Sequence, residues 1–296
     1  MMNMEGKEIE APDMADLSVA DKWVLSKVNT LAKDVTDNMD KFELGIALQK
    51  VYDFIWDEFC DWYIELAKYR IWHADENPKA ANAALWTLKT VLANGLKFLH
   101  PFMPFVSEEI YSALVPEEES LMMSSWPQYK EEWAFAKEES IVEHMKEIIR
   151  GVRNVRAEMN VAPSRKALTV VVCDDAVLCK GFEEIKTSAA SLMSASEIVI
   201  QSDKTGIAED AVSVVVTDAV AYLPLADLVD FEAEILRLEK EEERLNKELA
   251  RVNGMLSNER FISKAPQAKI DEEKAKLEKY TQMMEQVKER LSGLRK

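Results

Sequence analysis

The sequence predicts a mainly α-helical protein made of an antiparallel helical bundle, a small α/β module and an antiparallel coiled-coil hairpin. Three observations predict this fold class. Apolar residues recur at helical spacing up to about residue 160, short β-branched runs follow Pro163, and two heptad series occupy residues 227–296. The low content of breaking residues, 8 Gly and 9 Pro in 296, agrees with a folded, helix-rich chain.

The bundle is predicted from apolar periodicity and from prolines that divide the helices. Ser18 or Asp21 is available to cap the first helix, and Pro78 suits the first turn of the third. Pro101 and Pro104 must break the chain after that helix. The second helix is rich in aromatic residues, and we expect the run 56–63 to lie in the core. The predicted helices cover about 20–40, 42–70, 78–99, 105–114 and 137–159.

The pattern changes to strands after Pro163. β-branched runs predict strands, and the last two are close enough to form a hairpin. A helix is expected at about 175–190, between the first two strands. The predicted strands cover 168–172, 198–200, 212–216 and 220–223.

The two heptad series are the clearest feature of the sequence. The first runs from Leu228 to Leu256 and is apolar at eight of nine positions, with Glu242 as the exception. The second runs from Ile270 to Leu294 and is apolar at seven of eight, with Glu273 as the exception. Because the break between them is short, the two helices should fold back as an antiparallel hairpin. The narrow seam and the charged flanks predict that this hairpin projects into solvent.

The charge is unevenly distributed along the chain. The net charge is −17, but residues 227–296 carry 15 basic and 16 acidic side chains, which leaves 22 basic and 38 acidic in the rest. Phosphate binding rests on Lys and Arg, so any nucleic-acid contact in the acidic part must use local basic or aromatic spots.

Composition also argues against several classes of site. No apolar stretch is long enough for a membrane span. Three cysteines without Cys-x-x-Cys spacing and three histidines give poor support for a metal site, and none is predicted. Reduced thiols and the absence of a recognisable signal peptide lead us to expect a cytoplasmic protein.

Three segments resemble one family. Residues 21–27, DKWVLSK, resemble the start of the anticodon-binding bundle of class I aminoacyl-tRNA synthetases. Residues 99–111, LHPFMPFVSEEIY, resemble the helix corner shared by the valyl, isoleucyl, leucyl and methionyl members, and 125–127, SWP, resembles the turn that follows.

Two further segments resemble the valyl members in particular. Residues 58–65, EFCDWYIE, resemble the valyl form of the second helix, and the hairpin with its 258–266 tip resembles the valyl C-terminal arm. The resemblance implies four domains: 1–16, a remnant of the connection to a catalytic domain; 17–160, the anticodon-binding bundle; 161–226, a linker module; and 227–296, a tRNA-binding arm.

The resemblance also implies partners and chemistry. The expected partners are tRNA(Val) and the enzyme's own catalytic domain, with no membrane and a monomeric state. No catalytic residue is assigned, because the sequence has neither a His-x-Gly-His motif nor a Lys-Met-Ser-Lys-Ser-like loop. ATP and Mg are therefore expected only in the catalytic domain, no cofactor is expected here, and the chain alone should not activate valine.

The corner at 99–111 supplies the candidate anticodon contacts. By resemblance, Phe105 would stack on an anticodon base and Lys97 would meet the edge or phosphate of that base. Trp86 lies eleven residues before Lys97 and so shares its helix face, and His100 belongs to the same corner. The alternative for Phe105 and Trp86 is packing between helices.

Basic residues supply the remaining candidates. By resemblance, the arm would contact the backbone of the tRNA elbow through Arg244, Arg251, Arg260, Lys264 and Lys269. The alternative is that these are ordinary charges paired with Glu across the hairpin. Arg150, Arg153, Arg156, Arg165 and Lys166 form the densest basic cluster before the arm, and the first three share one helix stripe. This cluster would line the tRNA backbone or a domain interface, or else pair with carboxylates.

Two other functions remain open from the sequence. One is the same region of an isoleucyl-type synthetase with a replaced tail. The other is an interaction module that binds no RNA and dimerises through its coiled coil, a reading that the acidic front part favours slightly.

Overall fold

The computed structural model describes residues 9–228, 231–258 and 266–294 and confirms the predicted mainly α fold. The chain forms two compact units, one up to Leu225 and one from Ala226. The helices of the first part are α1 Val19–Asp40, α2 Leu44–Asp53, a π-helical segment Phe54–Tyr63, α3 Ile64–Trp72, α4 Pro78–Leu99, α5 Pro104–Leu114 and α6 Ala136–Glu158, with 3-10 turns at Leu121–Met123 and Glu131–Trp133.

The helix starts follow from their caps. The Ser18 hydroxyl accepts the Asp21 backbone N–H at 3.2 Å, and the Asp21 carboxylate accepts the Ser18 N–H at 2.9 Å, so both predicted capping residues form one capping box. Asn77 caps α4, with Pro78 in its first turn. Pro104 takes the same position in α5.

The predicted second helix is one rod with a change of winding in its middle. Its backbone stays right-handed helical through Phe54 and Ile64, where α2, the π-helical segment and α3 meet. Tyr52 of α2 is 55% exposed, and its ring centroid lies 6.2 Å from that of Trp56. Phe59 and Tyr63 are buried, but Trp56 is 52% exposed, so the expectation that the whole run packs in the core is wrong at Trp56.

A buried ion pair fixes α1 to α3. Asp21 is fully buried and accepts two hydrogen bonds from the Arg70 guanidinium, at 2.6 and 2.7 Å, and one from the Tyr63 hydroxyl at 2.6 Å. Burial alone would raise the pKa of Asp21. The charge of Arg70 and the hydrogen bonds from Arg70, Tyr63 and Ser18 outweigh burial and lower that pKa.

A buried lysine fixes α6 to the rest of the bundle. The Lys146 ammonium is bound by Glu58 at 2.7 Å and Glu143 at 3.0 Å, and it lies over the rings of Trp23 and Trp62 at 5.0 and 5.5 Å from their centroids. A charge this deeply buried is tolerated because it is paired and hydrogen-bonded. These contacts join segments 21–27 and 58–65, which therefore have a structural role in the bundle.

The α/β module consists of β1 Ala167–Val172, α7 Ala176–Met193, β2 Ala195–Gln201, β3 Val212–Val216 and β4 Ala219–Leu223. Its strands form a mixed sheet in the order β2-β1-β4-β3. Strands β1 and β2 are parallel and are linked by α7, whereas β3 and β4 form an antiparallel hairpin. Asp218 adopts the left-handed region, with φ 58°, in the tight hairpin turn.

The second unit is the coiled-coil hairpin, formed by α9 Phe231–Leu256 and α10 Gln267–Leu294 after the short helix α8 Leu225–Leu228. The helices run antiparallel. The buried seam consists of Leu238, Leu245, Met284, Val287 and Leu291, packed against Ile235, Leu249, Tyr280 and Met283.

Charged residues interrupt this seam. Glu273 is buried beside α9, and its Oε1 accepts from Lys276 of its own helix at 2.9 Å. Its other carboxylate oxygen has no hydrogen-bond partner within the described ranges.

Within residues 9–228, 231–258 and 266–294, no helix is both long and apolar enough to cross a bilayer. In the same ranges, no group of three or more His, Cys, Asp or Glu side chains could hold a metal ion.

Candidate nucleic-acid interface

The corner between α4 and α5 presents one aromatic ring to solvent. Phe105 lies in the first turn of α5 and is 91% exposed. Packing between helices, the alternative for this residue, is therefore not what the structure shows. A large apolar ring left in water is unfavourable by roughly 1.5–3 kcal/mol relative to burial, so Phe105 is not a core residue and its ring is accessible to a partner.

Hydrogen bonds hold the corner rigid. The Ser107 hydroxyl lies 2.8 Å from the Met103 carbonyl oxygen, and the same hydroxyl lies 2.8 Å from His100 Nδ1. The backbone N–H groups of Phe102 and Met103 both donate to the Leu99 carbonyl, each at 3.0 Å. His100 is thus engaged inside the corner, where it positions the first turn of α5.

Lys97 stands in the last turn of α4, facing α5. Its Nζ lies 5.6 Å from the ring centroid of Tyr111, six residues after Phe105. Lys97 also lines a groove of about 300 Å³ together with Asn94, Trp126 and Lys130. The structure therefore gives Lys97 a place beside the corner while leaving its ammonium accessible from the groove.

Trp86 packs against another side chain of the protein, which was the alternative to a tRNA contact. The ring is half-buried and meets Trp133 edge-on, with the centroids 6.4 Å apart. Lys130 covers the other ring, with its Nζ 4.1 Å from the Trp133 centroid. Trp86 and Lys97 share α4, as expected from their spacing, but Trp86 is engaged with the segment after Trp126.

The sequence interpretation missed two exposed methionines near the corner. Glu108, three residues after Phe105, accepts the Leu121 backbone N–H and the Ser120 hydroxyl, each at 3.1 Å. This tether holds the 3-10 turn on which Met122 and Met123 are 77% and 81% exposed. The adjacent pair of methionines was the only available sequence signal.

The arm arginines pair within one helix. Arg244 donates to Glu241 at 2.9 Å, and Arg251 donates to Glu248 at 3.0 Å. Each has its carboxylate partner three positions earlier on α9, so the alternative of ordinary charges paired with Glu agrees with the structure, with these pairs formed within one helix. Lys269 is exposed near the start of α10. Arg260 and Lys264 lie outside the described residues.

The arginine stripe on α6 is occupied by protein contacts. Arg150 and Arg153 lie over the Trp62 ring, at 5.2 and 5.8 Å from its centroid. Arg156 is buried and donates to the Arg165 carbonyl oxygen at 2.6 Å. Arg156 therefore joins α6 to the strand module and is not available to line RNA.

Comparison with known families agrees with this arrangement. Residues 21–172 match the family model described as the anticodon-binding domain of tRNA ligase. Residues 230–295 match the model described as the valyl tRNA synthetase tRNA binding arm.

Several curated relatives match along the chain. The valine–tRNA ligase of Clostridium tetani is 49% identical over 296 residues, that of Clostridium perfringens 47% over 295, and that of Clostridium acetobutylicum 44% over 297. These matches cover 100%, 99% and 100% of this chain. The chain spans about a third of the length of each relative, 33% in all three cases.

Proposed function

Because the chain belongs to the valyl-tRNA synthetase family, we propose that it binds tRNA(Val), with the helical bundle at the anticodon and the coiled-coil arm at the elbow. The observation that carries the proposal is Phe105, which is 91% exposed on a braced corner inside the segment that matches the anticodon-binding domain. The isoleucyl and non-RNA alternatives are not favoured by the comparisons.

The corner can recognise RNA by stacking the exposed ring of Phe105 on a base. An exposed ring on a rigid turn presents a flat apolar face to an unstacked base, and such stacking is worth about 1–3 kcal/mol per base. Lys97 supplies a donor for the base edge or its phosphate, and His100 keeps the corner in place. Glu108 and its acidic neighbours disfavour phosphate close to the ring, so the base rather than the backbone is the expected contact.

The arm would contact the RNA backbone. Arg244, Arg251 and Lys269 present positive charges along its two helices, where geometry and charge rather than sequence are recognised. The intrahelical pairs of the arginines are exposed, so exchanging the carboxylate for a phosphate costs little. Arg260 and Lys264 belong to this proposal from the sequence alone.

The chemistry of the whole protein is also part of the proposal. It would attach valine to tRNA with ATP, using ATP and Mg bound by a catalytic domain that contacts this chain. The 296 residues alone, as a cytoplasmic monomer, would bind tRNA without activating valine. Valine-dependent ATP–pyrophosphate exchange by the purified chain would contradict this assignment.

The anticodon contact is tested with two equally exposed phenylalanines. Phe105→Ala should weaken binding of tRNA(Val) by roughly 5- to 150-fold, the equivalent of one lost stack. Phe42→Ala is the matched control, because Phe42 is 88% exposed on the same bundle and lies outside the corner segment 99–111. Affinity is measured by filter binding, and thermal melts check that both variants stay folded.

The outcome separates recognition from packing. Normal affinity of Phe105→Ala, or an equal loss for Phe42→Ala, would refute the role of the ring. A non-cognate tRNA tests the amino-acid identity, since equal binding of the two tRNAs would contradict the valyl assignment.

A further inference from the structure

A second concave site lies between the bundle and the strand module, far in sequence from the α4–α5 corner. It is a pocket of about 520 Å³ bounded by the end of α3, the segment before β1, the last turns of α7 and the start of β2. This volume falls within the range of small-molecule and cofactor sites, about 300–1,000 Å³, and exceeds the space that a single phosphate needs. We call it the hydroxyl pocket, after the six residues that give it its character: Tyr69, Ser164, Thr187, Ser191, Ser194 and Ser196.

These hydroxyls are available to a ligand because they are open to solvent and have no hydrogen-bond partner among the described residues. None of the six makes a side-chain hydrogen bond to another residue in the part of the chain that the structure describes. Elsewhere in the bundle, hydroxyls such as those of Ser18, Ser107 and Ser124 have protein partners at 2.7–2.9 Å. A concave surface with six unused hydroxyls offers donors and acceptors for a ligand that is itself rich in oxygen.

Charge makes the pocket selective for an anionic ligand. Lys166 and Lys186 line it, against the single lining carboxylate of Glu197. Lys186 is held by Glu183 at 2.6 Å, whereas Lys166 has no ion pair with any residue in the described ranges. Two ammonium groups at one site stand out in a region where 38 acidic residues face 22 basic ones.

The end of α7 would oppose an anion unless its carbonyl groups were occupied. They are occupied. The Leu192 carbonyl oxygen accepts from Arg153 Nε at 2.7 Å, and the Ser194 backbone N–H caps the carbonyls of Ala190 and Ser191. Donors thus cover three of the carbonyl groups at this end of α7, which lessens the opposition of the helix end to an anion.

We propose that the hydroxyl pocket binds the ribose-phosphate backbone of RNA, as a contact separate from the α4–α5 corner and the arm. Lys, Ser, Thr and Tyr side chains are the usual partners of backbone phosphate and sugar, and the pocket contains all four. The pocket holds a nucleotide-sized segment, with phosphate at Lys166 and Lys186 and ribose oxygens at the serines. The inference rests on the proposed binding of tRNA.

Two kinds of variant give two different signatures. Lys166→Gln removes a cation, so the log–log salt dependence of tRNA affinity should become shallower by about 0.7–0.9, the value for one phosphate contact. Lys186→Gln should have the same effect. The double change Ser191→Ala and Ser196→Ala should lower affinity with an unchanged slope, because hydroxyl groups release no counterions.

Lys180→Gln is the matched control, since Lys180 is exposed on the same helix α7 but does not line the pocket. Protection from acetylation gives a second measurement on the unmodified chain. tRNA should shield Lys166 and Lys186 but not Lys180. Inorganic phosphate, tested alone, should give no comparable protection at equal phosphate concentration.

The results separate this inference from the proposed function. If wild-type chain binds no tRNA, the proposed function fails and this inference fails with it. If Phe105→Ala weakens binding while Lys166→Gln and Lys186→Gln match Lys180→Gln, only the hydroxyl pocket is refuted. Equal protection by inorganic phosphate would also overturn the assignment to RNA backbone.

Discussion

The buried pair of Asp21 and Arg70 gives the sharpest prediction on stability. Replacing Asp21 with Asn preserves volume but removes the carboxylate that receives the Arg70, Tyr63 and Ser18 hydrogen bonds. Removing one partner of a buried pair costs about 3–5 kcal/mol, because the other charge is left without compensation. The Arg70 side chain retains 16% exposure and can reach some water, so we expect a loss of about 3 kcal/mol in the free energy of unfolding.

Urea unfolding, monitored by tryptophan fluorescence, measures the loss of stability in the helical bundle. All seven tryptophans lie between residues 23 and 133, and none is in the arm, so the signal reports the bundle alone. The control is the double variant Asp21→Asn with Arg70→Met, which removes both charges and should recover part of the loss. A change below about 1 kcal/mol for Asp21→Asn, or a further loss on adding Arg70→Met, would refute the reasoning.

The same pair predicts the direction of a pH effect. Because the pKa of Asp21 is lowered in the folded state, its contribution to stability is present above the ordinary pKa of an aspartate. The contribution is lost as the pH falls through the lowered, folded-state pKa. The stability difference between the wild type and Asp21→Asn should therefore be constant near neutrality and narrow below about pH 4.

Two further predictions concern packing and the arm. A Cβ on Gly181 would lie 2.5 Å from Ile141 Cδ1, so Gly181→Ala should lower the free energy of unfolding of the first unit by about 1–3 kcal/mol in urea. At Gly45 a Cβ would meet nothing within 4 Å, so Gly45→Ala should stabilise α2 by up to about 1 kcal/mol. If the two substitutions changed the free energy of unfolding in the same direction, the packing argument would be wrong. Arg251→Gln should change arm stability by less than about 1 kcal/mol on circular dichroism, yet make the salt dependence of tRNA binding shallower by about one unit; an unchanged slope would exclude a phosphate contact there.

The helical bundle was predictable because the residues that start each helix lie next to that helix in the sequence. Ser18, Asn77 and Pro104 act on the first turn of their own helices, so a few residues determine where each helix begins. The π-helical winding of 54–63 was not predictable, because apolar residues three and four apart occur in both kinds of helix. The exposure of Trp56 was missed because an aromatic side chain in a bundle helix was assumed to be buried, whereas Tyr52 and Trp56 both lie on an exposed face.

The candidate site was predictable in position but less so in the state of each side chain. The prolines around Phe105 indicated an exposed corner, and the ring is exposed. The partners of Trp86 and Arg156 come from segments 6 to 47 residues away in the chain, which periodicity within one helix cannot reveal. The hydroxyl pocket was not predicted as a site. The sequence placed Lys166 in the basic cluster near the end of α6, but Lys186 and the serines come to lie beside it only through the crossover of α7.

The buried carboxylate of Glu273 in the coiled-coil seam affects how α9 and α10 align, and this alignment determines the length of the hairpin. A slip of one heptad between α9 and α10 would set this carboxylate against a different layer of the seam, and because a buried charge is costly, the stability of the hairpin depends on that alignment. Helix α9 has 26 residues and is about 39 Å long at 1.5 Å per residue, and each heptad slip would alter the reach by about 10 Å. The position of this buried charge in the seam therefore bears on the length at which the hairpin is most stable.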